Sequence, residues 1–212
     1  MNMKLMIILT LCVFMVGCTS QEEYDSCTYE KDDLQQEINV LKNKTQELVM
    51  VNEELDNFHK NYNKATKEYM NGLFDMHLAS YQYSMWSYYY TNDYLDLAIT
   101  NCEAARDLYT SSNSYYQKGI QYFKIANETA PEEYGNLITT YVLASELIID
   151  VNWEMYEACE YFEIAAGAYL NDDFDTGDSE LEIANSKIRK HDNMVKEYNG
   201  YIAKIKVLEE SI

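Results

Sequence analysis

The sequence predicts an all-α protein in which an N-terminal coiled-coil-like stalk leads into an elongated antiparallel four-helix bundle made of two similar helical hairpins. Three observations predict this fold. The 212 residues include one Pro and seven Gly, too few for a many-stranded β fold, which needs a turn every 8–12 residues. Apolar residues recur at alternating spacings of three and four, as on one face of a helix. Two segments, 81–104 and 161–184, carry similar side chains.

Composition limits the class of protein. Hydrophobic residues make up 47% of the chain, enough to bury a core, so an acidic disordered chain is excluded. The 36 Asp and Glu outnumber the 16 Lys and Arg, and the formal net charge is −20. This acidic excess argues against nucleic acid as a partner, because nucleic-acid binding normally needs a basic face. The length allows one domain with an appendage and excludes a large multidomain enzyme.

The first element is an apolar segment over residues 5–16, preceded by Lys4. At about 12 residues it is too short to span a bilayer, which takes roughly 20, but it fits the apolar region of a signal peptide. It ends at Met15-Val16-Gly17-Cys18, and polar residues follow. This tetrapeptide resembles the lipobox of prokaryotic membrane lipoproteins, although Met15 stands where the pattern usually has Leu.

The lipobox resemblance implies that residues 1–17 are a signal peptide and that Cys18 receives a thioether-linked diacylglyceryl group. Two acyl chains anchor a protein firmly. The resemblance therefore implies an exported protein on the outer face of a bacterial or archaeal membrane, at the cell surface or in the periplasm. The alternative is an ordinary signal peptide or a short uncleaved anchor. Residues 18–28 are predicted to form a lipidated tether.

The second element is a stalk helix over residues 29–60. Leucine returns at every seventh position, and the positions four further on complete a coiled-coil a/d pattern; the d positions are Leu34, Leu41, Leu48 and Leu55, and the a positions are Ile38, Thr45, Asn52 and His59. Asn52 at an a position favours two strands, and Glu37 and Lys42 could pair across a parallel homodimer. The alternative is that the stripe packs on the chain's own bundle, which the wide apolar face at 49–51 favours.

The bundle is predicted over residues 61–212. Its first helix continues to about Tyr90, and a turn with an N-cap follows at Asn92-Asp93. The second helix is predicted over 94–130, the third over 131–171 from Pro131, and the last over 179–209. Each has an apolar stripe at alternating spacings of three and four. In the second helix it is Leu95, Ala98, Cys102, Ala105, Tyr109, Ser112, Tyr116, Gly119, Phe123 and Ala126. In the third it is Tyr134, Leu137, Tyr141, Ala144, Ile148, Val151, Met155, Ala158, Phe162, Ala165 and Tyr169, and in the last it is Leu181, Ala184, Ile188, His191, Val195, Tyr198, Ile202 and Ile205.

An internal repeat supports two hairpins. The turn at 92–94 aligns with 172–174, and in the same register Ala104 aligns with Ala184. The stretch from Asp93 to Leu108 resembles the turn and second helix of a tetratricopeptide repeat, which implies a helical hairpin. Helices of about 35 residues are longer than that family's, whose whole repeat takes about 34 residues, so we expect elongated hairpins.

Two cysteines are predicted to lie close together. Cys102 and Cys159 stand at nearly equal distances along the chain before and after Ala130, so an antiparallel hairpin places them at nearly the same height. They are a candidate disulfide, and the alternative is two buried free thiols.

One turn offers a candidate calcium site. Its oxygen-bearing residues follow an EF-hand-like spacing, with Gly one position away from its usual place; the candidates are Asn171, Asp173, Asp175, Ser179 and Glu182. The competing interpretation is that these acids cap the last helix. Calcium is the one cofactor considered, and the main expectation is that there is none.

Aromatic residues gather around the first and third turns, which should lie at the same end of the bundle. The candidate partner surface is Tyr83, Trp86, Tyr88, Tyr90, Tyr94 and Phe174, and the alternative is that these rings fill the core. Asn43 and Asn127 begin glycosylation-type sequons. No catalytic motif occurs, so we expect no enzyme. The expected function is a non-enzymatic cell-envelope scaffold or interaction module contacting an envelope protein or glycan; the alternative is a sensor or small-ligand-binding bundle.

Overall fold

The structure is a computed structural model that describes the backbone of residues 21–212 and the side chains of residues 31–212. It contains four α-helices: α1, Gln21–Thr91; α2, Leu95–Asn127; α3, Glu132–Leu170; and α4, Phe174–Glu209. Residues 21–212 contain no β-strand, and the prediction of an all-α fold with two hairpins is confirmed. The predicted signal peptide and the lipidation site Cys18 lie outside the described residues.

The chain divides into two compact units between Glu53 and Glu54. Helix α1 runs through this boundary, so the predicted stalk and the first bundle helix belong to one helix. The predicted boundary after residue 60 was too late, because Phe58 is already fully buried in the bundle core. The predicted tether over 18–28 overlaps the start of this helix, because the backbone is helical from Gln21 onward.

The described part of the first unit is a single helical segment whose apolar side chains are exposed. Over residues 31–53 every side chain is exposed except that of Ile38, which is half-buried. The exposed fraction is 42% for Leu34, 62% for Leu41 and 65% for Leu48. The heptad leucines of this unit are therefore uncovered.

The second unit is a closed antiparallel four-helix bundle. Its helices are joined by short turns, which leave neighbours antiparallel. Hydrogen bonds tie each helix to its neighbours: Ser112 Oγ donates to the Gly72 carbonyl at 2.8 Å, Asn152 Nδ2 to Asn113 Oδ1 at 2.8 Å, and Lys190 Nζ to Glu154 Oε1 at 2.5 Å, while the Tyr69 and Tyr198 hydroxyls lie 2.6 Å apart.

The predicted apolar stripes form the core. In α2 every predicted position is buried except Leu95, which is half-buried, and in α3 only Tyr134 and Tyr169 at the two ends are half-buried. Helix α4 follows its predicted stripe less completely, because only Ala184, Tyr198 and Ile205 of that stripe are fully buried. Periodicity alone thus identified the inward faces of α2 and α3.

A polar layer divides the core into two apolar clusters. One cluster includes Phe58, Tyr69, Tyr116, Tyr141 and Tyr198, and the other includes Trp86, Cys102, Tyr109, Cys159 and Phe162. Between them lie Ser112, Asn113 and Asn152, each no more than 4% exposed. Asn152 Nδ2 also donates to Ser112 Oγ at 3.1 Å. Because these groups bond across three helices, the layer fixes the heights at which α1, α2 and α3 pack.

The internal repeat is structural, but its true offset is shorter by one position than the predicted one. Three pairs of fully buried alanines are related by the corrected offset: Ala65 with Ala144, Ala79 with Ala158, and Ala105 with Ala184. The predicted match of Ala104 with Ala184 was out of register, because Ala104 is half-buried. The two hairpins thus use small residues at equivalent heights, where helices approach closely.

Candidate functional site

The turns α1–α2 and α3–α4 lie at the same end of the bundle, as predicted. The rings of Tyr90, at the end of α1, and Tyr169, at the end of α3, have centroids 6.3 Å apart. The ring of Phe174, which begins α4, lies 6.1 Å from that of Tyr169. This end, comprising residues 81–96 and 169–182, is called the tip below.

The two tip turns have the same hydrogen-bonded structure. In the first, Tyr94 N donates to the Tyr89 carbonyl and Asp93 N to that of Tyr90; the second repeats this with Asp173 to Ala168 and Asp172 to Tyr169. This is the Schellman motif, whose left-handed residue is usually Gly. Here it is Asp93, with φ of 62°, and Asp172, with φ of 60°. Asp is among the few residues other than Gly that tolerate this left-handed conformation. Its use at both turns adds a carboxylate to each.

The predicted partner surface separates into core and exposed rings. Trp86 is 5% exposed and stacks on Phe162 with centroids 3.7 Å apart. Tyr83 and Tyr90 are half-buried, and each stacks on Trp86 at 5.3 Å. Placing these three on a partner surface was therefore wrong, because they fill the space between α1 and α3.

Three predicted rings do face outward at the tip. Tyr88 is 57% exposed, Tyr94 58% and Phe174 60%. Tyr81, which was not part of the candidate partner surface, is exposed to the same degree. Tyr83, two positions further along α1, points to the core. Because side chains two apart on a helix lie on nearly opposite faces, helix periodicity could have identified Tyr81 as an outward-facing ring.

The tip carries negative charge without compensating cations. No Lys or Arg occurs in residues 68–105 or in residues 125–186, the segments that contain the tip. Its exposed acids include Asp93, Asp96, Asp172, Asp175 and Asp178. Exposed aromatic rings beside uncompensated carboxylates favour a partner with cationic and planar groups, which can pair with the acids and lie over the rings.

The candidate calcium loop is not a loop. Helix α4 begins at Phe174, earlier than the predicted start at 179, so Asp175, Ser179 and Glu182 are helical. Asp173 caps the helix, its Oδ1 accepting from Thr176 N at 3.2 Å. Within residues 31–212, no group of three or more His, Cys, Asp and Glu side chains is placed to hold a metal ion. The predicted calcium site is therefore corrected to helix capping, which satisfies a free backbone N–H at the helix start.

Gly177 also belongs to the helix, and its missing side chain has a packing reason. A Cβ at this position would lie 2.4 Å from the ring of Tyr169. That ring is held in place, because its hydroxyl donates to Asp178 Oδ1 at 2.7 Å. Gly177, which was predicted to belong to a metal-binding turn, instead leaves room for the ring of Tyr169 to pack against the first turn of α4.

Cys102 and Cys159 lie side by side, as the hairpin geometry predicted, but they are free thiols. Both are fully buried in the apolar cluster nearer the tip. Burial and a hydrogen bond to Cys159 raise the pKa of the Cys102 thiol well above its usual range. The predicted disulfide is not formed in this structure, and the alternative of two buried thiols describes it.

Several cations of the bundle form ion pairs between helices, away from the tip. Arg106 donates to Glu163 Oε2 at 2.8 Å and to the Tyr156 hydroxyl at 2.9 Å. Desolvation raises the pKa of Glu163 despite this guanidinium. Lys187 pairs with Glu157, and a hydrogen bond to that carboxylate raises the lysine's pKa. These cations join α2 to α3 and α3 to α4, and their charge is used within the bundle.

Two further predicted sites are exposed. Asn43, on α1, and Asn127, the last residue of α2, both have exposed side chains, so their predicted glycosylation meets no steric obstacle. Within residues 21–212, none of the helices combines the length and hydropathy of a membrane-spanning segment.

No protein-family model, no curated protein and no solved structure significantly matches this chain.

Proposed function

We propose that this chain is a lipid-anchored extracytoplasmic protein of a prokaryotic cell envelope, acting as a non-enzymatic scaffold or protein-interaction module. The observation that carries the interaction role is the tip. Exposed Tyr88, Tyr94 and Phe174 stand there beside acids that no nearby Lys or Arg compensates. Large exposed aromatic rings are typical of protein interaction sites.

The expected partner is an envelope protein that presents Lys or Arg side chains to the tip. Carboxylates attract such a surface over a range of about 10 Å at 0.1 M salt, and tyrosine rings accept cations over their faces. A glycan partner would use the rings without needing the acids. The salt dependence of binding distinguishes the two, because only the charged partner is released by raised ionic strength.

A small-ligand function has less support. The bundle interior is filled by two apolar clusters and the polar layer between them. The surface depressions at residues 43–50 and 33–41 are each lined by α1 alone. A scaffold or interaction role needs no internal cavity, so a filled core agrees with the proposal.

The interaction role is tested by photo-crosslinking in the native envelope. A photoreactive phenylalanine analogue is placed at Tyr88, Tyr94 or Phe174, and at Phe74 as control. Phe74 is 64% exposed, as accessible as the tip rings, but lies several helical turns before α1 ends at Thr91. We expect a discrete adduct from the tip positions, weakened when salt is raised from 0.1 to 0.5 M. Adducts of equal yield from Phe74 would contradict the proposal.

The anchor is tested separately by metabolic labelling with a fatty-acid analogue. The full chain should incorporate the label, and the Cys18→Ser variant should lose it and leave the membrane fraction. Equal labelling of the two chains would refute lipidation at Cys18 while leaving the proposed role of the tip standing.

A further inference from the structure

The exposed face of α1 over residues 34–55 has the properties of one strand of a two-stranded coiled coil. Four leucines recur at d positions, one in each heptad, and are between 38% and 65% exposed. An isolated helix of this kind gains little stability from local interactions, because most helix stability in proteins comes from packing an apolar face. The apolar stripe therefore requires a partner of matching shape.

The polar residues on this face also fit a helical partner. Thr45 Oγ1 donates to the Leu41 carbonyl at 2.7 Å, so its hydroxyl is satisfied within its own helix and its methyl group is free to pack. Asn52 is exposed at an a position. A buried amide there is satisfied by the same amide of a second parallel strand, whereas an antiparallel partner would place a leucine opposite it and leave the amide unpaired.

The flanking charges favour the same arrangement. In a parallel pair each g position meets the e position of the following heptad on the other strand. Glu37 then meets Lys42, while Lys44 and Asp56 each meet a valine, Val49 and Val51. The register brings one opposite-charge pair together and no like charges. The valines also widen the apolar seam on both sides of Asn52.

We propose that residues 34–55 of α1 bind the same segment of a second copy of this chain as a parallel, in-register coiled coil. The seam ends where the bundle begins, because Phe58 is fully buried and the ring of Tyr62 packs against Phe123 and Tyr134. Each dimer would thus carry two tips. This inference is independent of what the tip binds.

Cysteine crosslinking of the full chain tests both partner and direction. Cys27 is first replaced by Ala, because it lies one heptad before Leu34 and shares its heptad position. Leu34→Cys and Leu55→Cys are then oxidised separately with copper(II)–phenanthroline, with Gln36→Cys and Met50→Cys, on the opposite face, as controls. We expect disulfide-linked dimers from both leucine positions and at least fivefold less from the controls.

The pattern of crosslinks identifies the arrangement. The two leucine sites are about 32 Å apart along the helix, so an antiparallel pair could bring at most one of them to its own copy. A crosslink that forms only when the two variants are mixed would show an antiparallel pair and refute the proposal. Dimers from all four positions at equal yield, or from none, would also refute it.

A second measurement does not depend on thiol chemistry. The mass of the full chain in mild detergent is measured by light scattering at 1–10 µM, and we expect two copies. Leu41→Glu with Leu48→Glu should reduce the mass to one copy, while Gln36→Glu with Met50→Glu adds the same charge on the opposite face and should leave two. Circular dichroism confirms that each variant remains helical. A single copy for the unmodified chain, or a mass of three or more copies, would overturn the proposal.

Discussion

Replacement of Trp86 by Ala should destabilise the bundle strongly, whereas the same change at Tyr88 should not. The two residues are near neighbours at the end of α1, but Trp86 is 5% exposed and stacks on Phe162, while Tyr88 is 57% exposed. A buried Trp→Ala change costs about 3–5 kcal/mol, from lost apolar burial and the cavity left behind. The indole Nε1 is buried without a hydrogen-bond partner, so its removal offsets part of this cost. We therefore expect a loss of about 3 kcal/mol.

The assay is urea or thermal unfolding followed by circular dichroism at 222 nm. For a domain of this size, about 3 kcal/mol corresponds to a fall in Tm of roughly 6–12 °C. Tyr88→Ala should stay within about 0.5 kcal/mol of the unmodified chain, as is usual for surface substitutions.

Fluorescence provides a check on the same point. The chain has two tryptophans, and Trp153 is 42% exposed. In a Trp153→Phe background the remaining emission comes from Trp86 and should be blue-shifted until the bundle unfolds. Red-shifted native emission, or a Trp86→Ala loss below about 1 kcal/mol, would refute the assignment of this ring to the core.

Three further predictions concern the helices of the bundle. Gly200→Ala should stabilise the protein by up to about 1 kcal/mol in urea unfolding, because a Cβ there meets nothing within 4 Å and Ala favours a helix. Gly72→Ala should lose that gain, because its Cβ would lie 3.0 Å from the buried ring of Tyr116; equal stabilisation by both changes would contradict this packing. Asn152→Ala should cost about 1–3 kcal/mol by unfolding, since it leaves Asn113 Oδ1 without its donor and removes one of the two hydrogen bonds of Ser112, and an unchanged midpoint would show that these bonds contribute nothing to stability. Stability should fall at alkaline pH: burial raises the pKa of Tyr62 from 10.0 to about 12, so its contribution is full below pH 10 and is lost as pH rises through 12, and part of the rise in tyrosinate absorbance at 295 nm should coincide with unfolding.

The local pattern of the chain was enough to predict most of the helical architecture. The number of helices, their buried stripes in α2 and α3, and the shared end of the two turns follow from spacing along one helix and from short connections, both of which are local properties. The start of α4 was missed because Asp173 and the acids after it match both a metal loop and a helix N-terminus. The two structures differ in whether the backbone at these residues is a loop or is already helical, which the residue types alone do not reveal.

The sequence by itself determined that this is an acidic, all-helical chain with a heptad-repeat segment and two related hairpins. Tertiary structure alone decided which aromatic rings are core and which face outward, because burial of Trp86 depends on Phe162 lying opposite it on a helix distant in sequence. It also decided the register of the repeat, since a shift of one position turns an alanine away from the core. Helix periodicity is set by neighbouring residues, whereas the partner across an interface is set by the packing of the whole bundle.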